Sequence, residues 1–241
     1  MTELADGTLE ILGRISTATI TAQLLRIAGL RSRAVHGVRP VNPARCRLAG
    51  PAWTLRFVPV REDLTDRASI ASPASHLHGT IDDIPPGSVL VLDMRGDDSA
   101  GALGDVLVAR LIAIGVAGVV ADGGMRDSGP VADMALPVWC AGFAPPPSSR
   151  ALLAADVQVM VGCGGVLVVP GDIVVADPDG VAIIPRHLAD QVAQAGIEQE
   201  QVEAWVRRRI EHGARVTGLY PPDAGTVAAY YAWVAAGESE E

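Results

Sequence analysis

The sequence predicts an α/β fold in a single domain, and three observations predict it. A strand, helix, strand unit reads across residues 88–124, a series of short β segments follows Pro137, and the core must be aliphatic, because 49% of the residues are hydrophobic and only 4% aromatic. A chain of 241 residues fits one large domain or two small ones, since domains usually run to ~100–200 residues. Strands and helices follow one another without a linker, which favours one domain.

Each element has its own warrant. Residues 15–28 (ISTATITAQLLRIA) open on Ser16 and Thr17 as N-caps and place Ile20, Leu24, Leu25 and Ile27 at near-helical spacing. A loop with Pro40, Pro43 and Pro51 leads into AWTLRFVPV, an alternating strand with Trp53, Leu55 and Phe57 on one face. Residues 61–85 are charged and read as a surface excursion. SVLVLDM and VAGVVADGG are short apolar runs, and between them residues 103–114 form a helix expected to bury Val106, Leu107, Leu111 and Ile114. That helix is long enough to cross over a parallel pair of strands. After Pro137 come PVWCAG, VQVMVG, VLVVPGDIVVAD and GVAIIP, with Gly171 and Gly180 in the turns. A polar helix over residues 186–212 carries a sparse apolar seam (Leu188, Val192, Ile197, Val202, Trp205, Val206, Ile210). The division expected is a catalytic domain over 1–185 and a C-terminal helical extension over 186–241, packing on the same or a neighbouring subunit. The period of GLYPPDAGTVAAYYAWVAAGE is ambiguous.

Composition excludes several classes. Nineteen basic against 28 acidic residues give a net charge of −9, the wrong sign for a protein that binds nucleic acid by neutralising phosphates. Cys46, Cys140 and Cys163 are odd in number and in no CxxC spacing, as expected of reduced thiols in a cytoplasmic protein. The N-terminus MTELADGTLEIL has no apolar core of a signal peptide. The charge-free stretches 134–149 and 157–171 are broken by Pro or Gly and fall short of the ~20 apolar residues a bilayer span needs. Neither a nucleic acid nor a membrane is an expected partner.

The most informative segment is GALGDVLVARLIAIGVAGVVADGGMRD. Gly104 and Asp105 open the helix, and after twenty intervening residues Arg126 and Asp127 leave the second strand. In such a unit the helix N-terminus and the loop after the next parallel strand share the carboxyl edge of the sheet, where ligands bind. Asp105, Arg126 and Asp127 should therefore converge. Backbone N–H groups at 104–107 offer an anion site, Arg126 a planar fork for a carboxylate, and Asp127 a hard oxygen ligand for Mg²⁺ or Mn²⁺. Gly123 and Gly124 let a ligand approach the backbone closely. The plain alternative is a surface turn with a salt bridge, with Asp105 only a helix cap.

The Asp105, twenty residues, Arg126-Asp127 arrangement resembles the signature of the RraA-like family, which includes the divalent-metal-dependent 4-hydroxy-4-methyl-2-oxoglutarate aldolases. ISTATITAQL resembles the family's first helix, GVAGVVADGGMRD its central strand and loop, and VVPGDIVVADPDGVAIIP its late hairpin; the likeness runs over residues 15–215. It implies a layered β/β/α fold of the swivelling type, assembled as a homotrimer or hexamer with sites between subunits. It also implies a lyase that releases pyruvate from 2-oxo acid substrates, with decarboxylation of oxaloacetate beside it. In the roles so implied, Asp127 holds Mg²⁺ (or Mn²⁺) largely through waters. Arg126 binds substrate, as do the backbones of Gly104, Asp105, Val106 and Leu107, and Asp105 orients a proton-shuttling water.

The chain departs from that pattern at Ala22, where many relatives have an acid. Glu203, on the late helix, is the candidate for an acid reaching a neighbouring subunit's site, against the plain reading of a solvated glutamate. The family also contains non-catalytic inhibitors of ribonuclease E, the rival reading. His76 and His78, with Asp82 or Asp83, match no zinc pattern. Cys163 reads as a buried structural thiol, GCGGVLVVPG is not a dinucleotide loop because a β pattern follows it, and Trp205 and Trp233 read as packing residues.

Overall fold

The computed structural model describes residues 3–63 and 76–237, and its longest strand, β3 (Leu48–Pro59), organises the rest. Helices α1 (Thr8–Arg14) and α2 (Thr17–Ala28) precede it, with the two-residue strands β1 (Ala34–Val35) and β2 (Arg39–Pro40) between. Helix α3 (His76–Asp83) leads to β4 (Val89–Asp93), α4 (Asp105–Ala113), β5 (Gly118–Met125), α5 (Ser128–Asp133) and β6 (Val138–Phe143). Five strands follow: β7 (Leu152–Val157), β8 (Val161–Cys163), β9 (Val166–Val168), β10 (Ile173–Asp177) and β11 (Gly180–Ile184). Helices α6 (Ala189–Glu211) and α7 (Ala224–Ala235) end the described chain.

The main sheet runs β1-β11-β10-β3-β4-β5-β6-β2, and β7 pairs with β3 off that path. Strands β3 to β6 are parallel neighbours, while β10 and β11 are antiparallel to each other and β10 to β3. Strand β3 uses residues 48–51 to pair β10 and 55–59 to pair β7, so it is shared by two halves of the sheet. Alternation along each strand sorts the core into faces. Leu90 and Leu92 of β4 pack under α3 and α4 with Leu55, Phe57, Ile81, Val108 and Leu111. Val89 and Val91 face the other way, into a cluster with Val120, Trp139, Val174, Ala176 and the β8–β9 hairpin. The outer face of β10 and β11 (Ile173, Val175, Ala182, Ile184) is covered by α1, α2 and the start of α6. Trp139 on β6 donates its indole N–H to the Asp177 carbonyl at the end of β10, 3.2 Å away. Those strands are four places apart in the sheet order, so the sheet curls until its two halves share one inner face. This is the layered β/β/α arrangement the resemblance implies.

Most elements fall where the sequence puts them. Ser16 caps α2, its hydroxyl accepting from the Thr19 N–H at 3.1 Å, and Gly171 takes φ +86 in its turn. Four readings change. Val106 is 75% exposed: it lies about 200° around the helix from the buried Val108, on the opposite face. VQVMVG is two strands, broken where Gln158 takes φ +54 and its side chain accepts from the Thr54 N–H. His76 and His78 lie on helix α3, and Asp82 is engaged by Arg110 at 2.9 Å; residues 64–75 of the expected excursion lie outside the described residues. The tail of ambiguous period is helix α7, capped by the Asp223 carboxylate on the Thr226 N–H. It packs Tyr230 against Trp205, Val202 and Val206 of α6, so the distal half of the α6 seam is covered within the same chain.

Helix α6 also caps α2 from outside. Glu200 accepts from the Ser16 N–H and hydroxyl and from the Thr19 hydroxyl, at 2.8–3.0 Å. Partial burial alone would raise its pKa, but these hydrogen bonds outweigh burial and hold the carboxyl below the usual glutamate value. The depressed folded pKa gives stability that is full above the unfolded glutamate value and is lost as pH falls through the folded one. Glu200→Gln should therefore lower the melting temperature at neutral pH, with the gap from wild type closing in acid below the ordinary glutamate range. Thermal melts across pH would check it, and a gap that persisted in acid would contradict it.

Candidate active site

The carboxyl edge of β4 and β5 is where the βαβ argument places chemistry, and the chain lays one continuous floor there. Leaving β4, residues 94–104 run across the end of β5 before α4 begins. Gly124 donates its N–H to the Asp97 carbonyl at 3.3 Å, Ala102 donates to Gly124 at 2.9 Å, and Arg126 donates to Leu103 at 2.8 Å. The contact is so close that a side chain on either of two glycines would disturb the site. A Cβ on Gly101 would overlap the Arg126 Cγ and come within 2.6 Å of the Met125 backbone, and a Cβ on Gly104 would overlap the Asp127 carboxylate.

On this floor three of the expected residues meet. Asp127 is exposed and takes φ +56, a left-handed conformation rare for a residue with a Cβ. That conformation turns its carboxylate back onto α4, where Oδ2 accepts from the Asp105 N–H at 3.3 Å. Asp105 uses its own Oδ1 to accept from the Val106 N–H at 2.7 Å. Two of the first-turn amides expected to bind an anion are thus already facing carboxylates. Arg126 lies half-buried beside them, and its Nε is buried without a hydrogen-bond partner among the described residues. A buried charged donor left unpaired is costly, and an anion seated against Arg126 would remove that cost.

Glu203 is not part of this cluster within the chain. Helix α6 packs on α1, α2 and α7. Glu203 accepts from Gln199 at 2.9 Å and lines a separate open groove of about 320 Å³ with Glu200, Arg207, Glu211 and Tyr220. All three cysteines are free and buried, and burial pushes the Cys140 thiol up to about 11 and Cys163 well above its usual value, so neither is poised as a nucleophile. Among the described residues no three His, Cys, Asp or Glu side chains cluster as a dense metal cage. The donor set at Asp127 and Asp105 is instead two carboxylates open to solvent on one side. That suits a hard cation such as Mg²⁺, which often takes one or two protein carboxylates and keeps several waters.

Three buried acids, Asp122, Asp172 and Asp177, escaped the sequence reading, and the first lies against the site. Asp122, on β5, is 6% exposed; its carboxylate accepts from the Met94 N–H at 2.6 Å and the Gly164 N–H at 3.1 Å. Burial raises its pKa, partly offset by those hydrogen bonds. The signal was available: an acid inside an otherwise apolar strand needs buried donors.

The RraA-like (Aldolase/RraA) family model matches residues 4–183. The chain belongs to the RraA-like family. Among curated relatives, one from Halalkalibacterium halodurans, named as a candidate 4-hydroxy-4-methyl-2-oxoglutarate aldolase, is 33% identical over 124 residues, covering 52% of this chain and 58% of the relative. One of the same name from Xanthomonas campestris pv. campestris (strain 8004) is 32% identical over 154 residues, 64% of this chain and 83% of the relative. The first of these matches thus spans less than two thirds of the relative's length. Among solved structures, Streptomyces coelicolor RraAS2, described as an unusual member of the RNase ES inhibitor RraA protein family, superposes with a TM-score of 0.76. It is 34% identical, and the match covers 86% of this chain and 98% of that one. An uncharacterized protein from Pseudomonas syringae pv. tomato gives a TM-score of 0.78 at 26% identity, over 90% and 93% of the two chains. Within this RraA-like fold no helix among the described residues is long and apolar enough to cross a membrane.

Proposed function

We propose that this RraA-like protein is a divalent-metal-dependent aldolase that cleaves a 4-hydroxy-2-oxo acid to pyruvate and a second carbonyl compound, and that decarboxylates oxaloacetate with the same residues. The observation that carries the reading is that Arg126, whose Nε is buried without a partner among the described residues, directly precedes Asp127 at the helix N-terminus where the Asp105 and Asp127 carboxylates gather. Asp127 would hold Mg²⁺ or Mn²⁺, with Asp105 close by. When bound, such a cation supplies Lewis-acid polarisation of the 2-oxo group.

The chain's own residues do the rest. Arg126 binds the substrate's carboxylate through its planar fork and keeps a positive charge beside the 2-oxo oxygen. That charge counts most when the C3–C4 bond breaks and its electron pair passes into the enolate of pyruvate. Asp105, through a water, receives the proton of the 4-hydroxyl as C4 becomes a carbonyl, and the same proton returns to C3. Loss of CO₂ from oxaloacetate leaves the same enolate, and C3 then takes its proton from the water that Asp105 orients, solvent replacing that proton. The backbones of Gly104 and Leu107 would face the substrate's acid end, and Val106 would do so only if its N–H left the Asp105 carboxylate. The candidate role for Glu203 is completion of this site from a neighbouring subunit in a homotrimer or hexamer, in the cytoplasm.

The test is pyruvate release from oxaloacetate and a set of 4-hydroxy-2-oxo acids, with and without Mg²⁺ or Mn²⁺. Wild type should turn over only with metal, Asp127→Ala should be inactive, and Arg126→Ala should lose more than ~2 kcal/mol of transition-state stabilisation, or about thirtyfold in kcat/KM. An Arg126→Ala enzyme with near-full activity would remove that residue from the mechanism. The second reading, a non-catalytic ribonuclease inhibitor, is favoured by the names of the Streptomyces structure and of a Thermus thermophilis structure titled an RNA-processing inhibitor, 25% identical with a TM-score of 0.53. Absence of metal-dependent turnover of every acid tested would put that reading first.

A further inference from the structure

Two acids on neighbouring parallel strands do no chemistry in the scheme above, yet both are spent on the same pair of loops. Asp93, closing β4, accepts from the Arg95 N–H and the Gly162 N–H, each at 3.1 Å. Asp122, on β5, accepts from Met94 and Gly164. Each carboxylate therefore bridges the start of the 94–104 segment to the β8–β9 hairpin. The hairpin end of this tie is itself fixed, because Gly164 takes φ +50 and its carbonyl accepts from the His36 N–H at 2.9 Å. At the other end, Met94 packs against Gly123, where a Cβ would overlap the Met94 side chain. Asp122 is the better buried of the two acids, and it stands four residues before Arg126, which leaves the same strand.

We infer that Asp122 is a positioning residue for the site: its carboxylate pins the 94–104 segment between β5 and the β8–β9 hairpin, and that segment is the floor on which Arg126 and Asp127 are held. The chain of contacts is continuous. Asp122 fixes Met94; residues 97–103 then pair with Gly124 and Arg126 through the Asp97, Ala102 and Leu103 backbone bonds; and Gly101 and Gly104 carry the Arg126 stem and the Asp127 carboxylate. A carboxylate is needed because both partners are N–H donors. An asparagine of the same shape would turn an NH₂ group toward one of them, replacing an attraction by a repulsion without leaving a cavity. The role of this residue in turnover rests on the aldolase reading; its hold on the floor does not.

The experiment compares wild type, Asp122→Asn and Asp172→Asn. Asp172 is a matched control: it is also a buried acid whose pKa burial raises, and it accepts from the Val169 N–H at 3.0 Å in a turn outside the site. Native-state hydrogen exchange on the metal-free protein should be about tenfold faster or more in residues 94–104 of Asp122→Asn, with β10 and β11 unchanged, and Asp172→Asn should not show it. With Mg²⁺ and the best 2-oxo acid, Asp122→Asn should lose about tenfold or more in kcat while KM moves far less, because a misplaced floor costs more in the transition state than in the ground state. Unchanged exchange in 94–104 overturns the inference whatever the activity. Faster exchange with kcat intact overturns the role in turnover. Faster exchange in a wild-type background that turns over no acid leaves the pinning established and refutes only the aldolase reading.

Discussion

Gly104→Ala should give a folded protein that has lost the proposed aldolase turnover. The backbone at 104 (φ −112°, ψ −173°) suits any residue, so alanine adds no conformational strain. What the new methyl group meets is the Asp127 carboxylate, and little else is close. The carboxylate must swing away, leaving the Asp105 N–H and the place proposed for the cation. Displacing a reacting group by about 1 Å can cost ~10²-fold in rate, and a loss of that size in kcat/KM is expected, with the circular dichroism spectrum and melting temperature near wild type. Gly101→Ala makes the contrast, since its methyl would strike the Met125 backbone as well as Arg126, and it should lose stability together with activity. Pyruvate-release kinetics and thermal melts on the pair separate the two. Full activity in Gly104→Ala would mean that the Asp127 carboxylate is not needed where it stands.

Asp177→Ala should produce the largest loss of stability. Asp177 is 2% exposed. One carboxylate oxygen accepts from the Thr17 N–H at 2.8 Å, and the other from the Thr17 hydroxyl at 2.8 Å, the Asp179 N–H at 2.9 Å and the Gly180 N–H at 3.3 Å. A single acid thus closes the β10–β11 turn and seats the first turn of α2. Truncation strands several buried donors at once, and hydrogen bonds to a charged group are worth roughly 1.5–3 kcal/mol each without adding fully. A loss of about 3 kcal/mol or more is expected, close to 10 °C in melting temperature for a chain of this length. Differential scanning calorimetry would read it, and a shift of only a degree or two would show that water replaces the carboxylate.

Much of this was legible from spacing. The parallel pair β4 and β5 with α4 between them follows from two apolar runs flanking a helical period, and that topology alone brings residues 105, 126 and 127 to one edge. Local capping signals also read truly at Ser16. Helix α1 was missed because it starts from a left-handed Gly7 with no capping side chain, so nothing local announces it. Helix α7 was ambiguous because its outward positions are alanine and tyrosine rather than charges, which erases the period a surface helix normally shows. Within the site, what could not be read was the floor: Gly101 and Gly104 look like ordinary loop glycines until residues 94–104 are seen lying across β5. The sequence likewise showed that Asp122 was an acid among valines and alanines, but not which loops it would tie.

Strand β3 carries one more implication. Because β10 and β7 grip successive stretches of it while β4 holds its other edge, the two halves of the sheet own no separate backbone to come apart along. In denaturant they should lose structure as one cooperative unit, and only the α7 layer, attached mainly through its own small aromatic cluster, is placed to melt ahead of the rest.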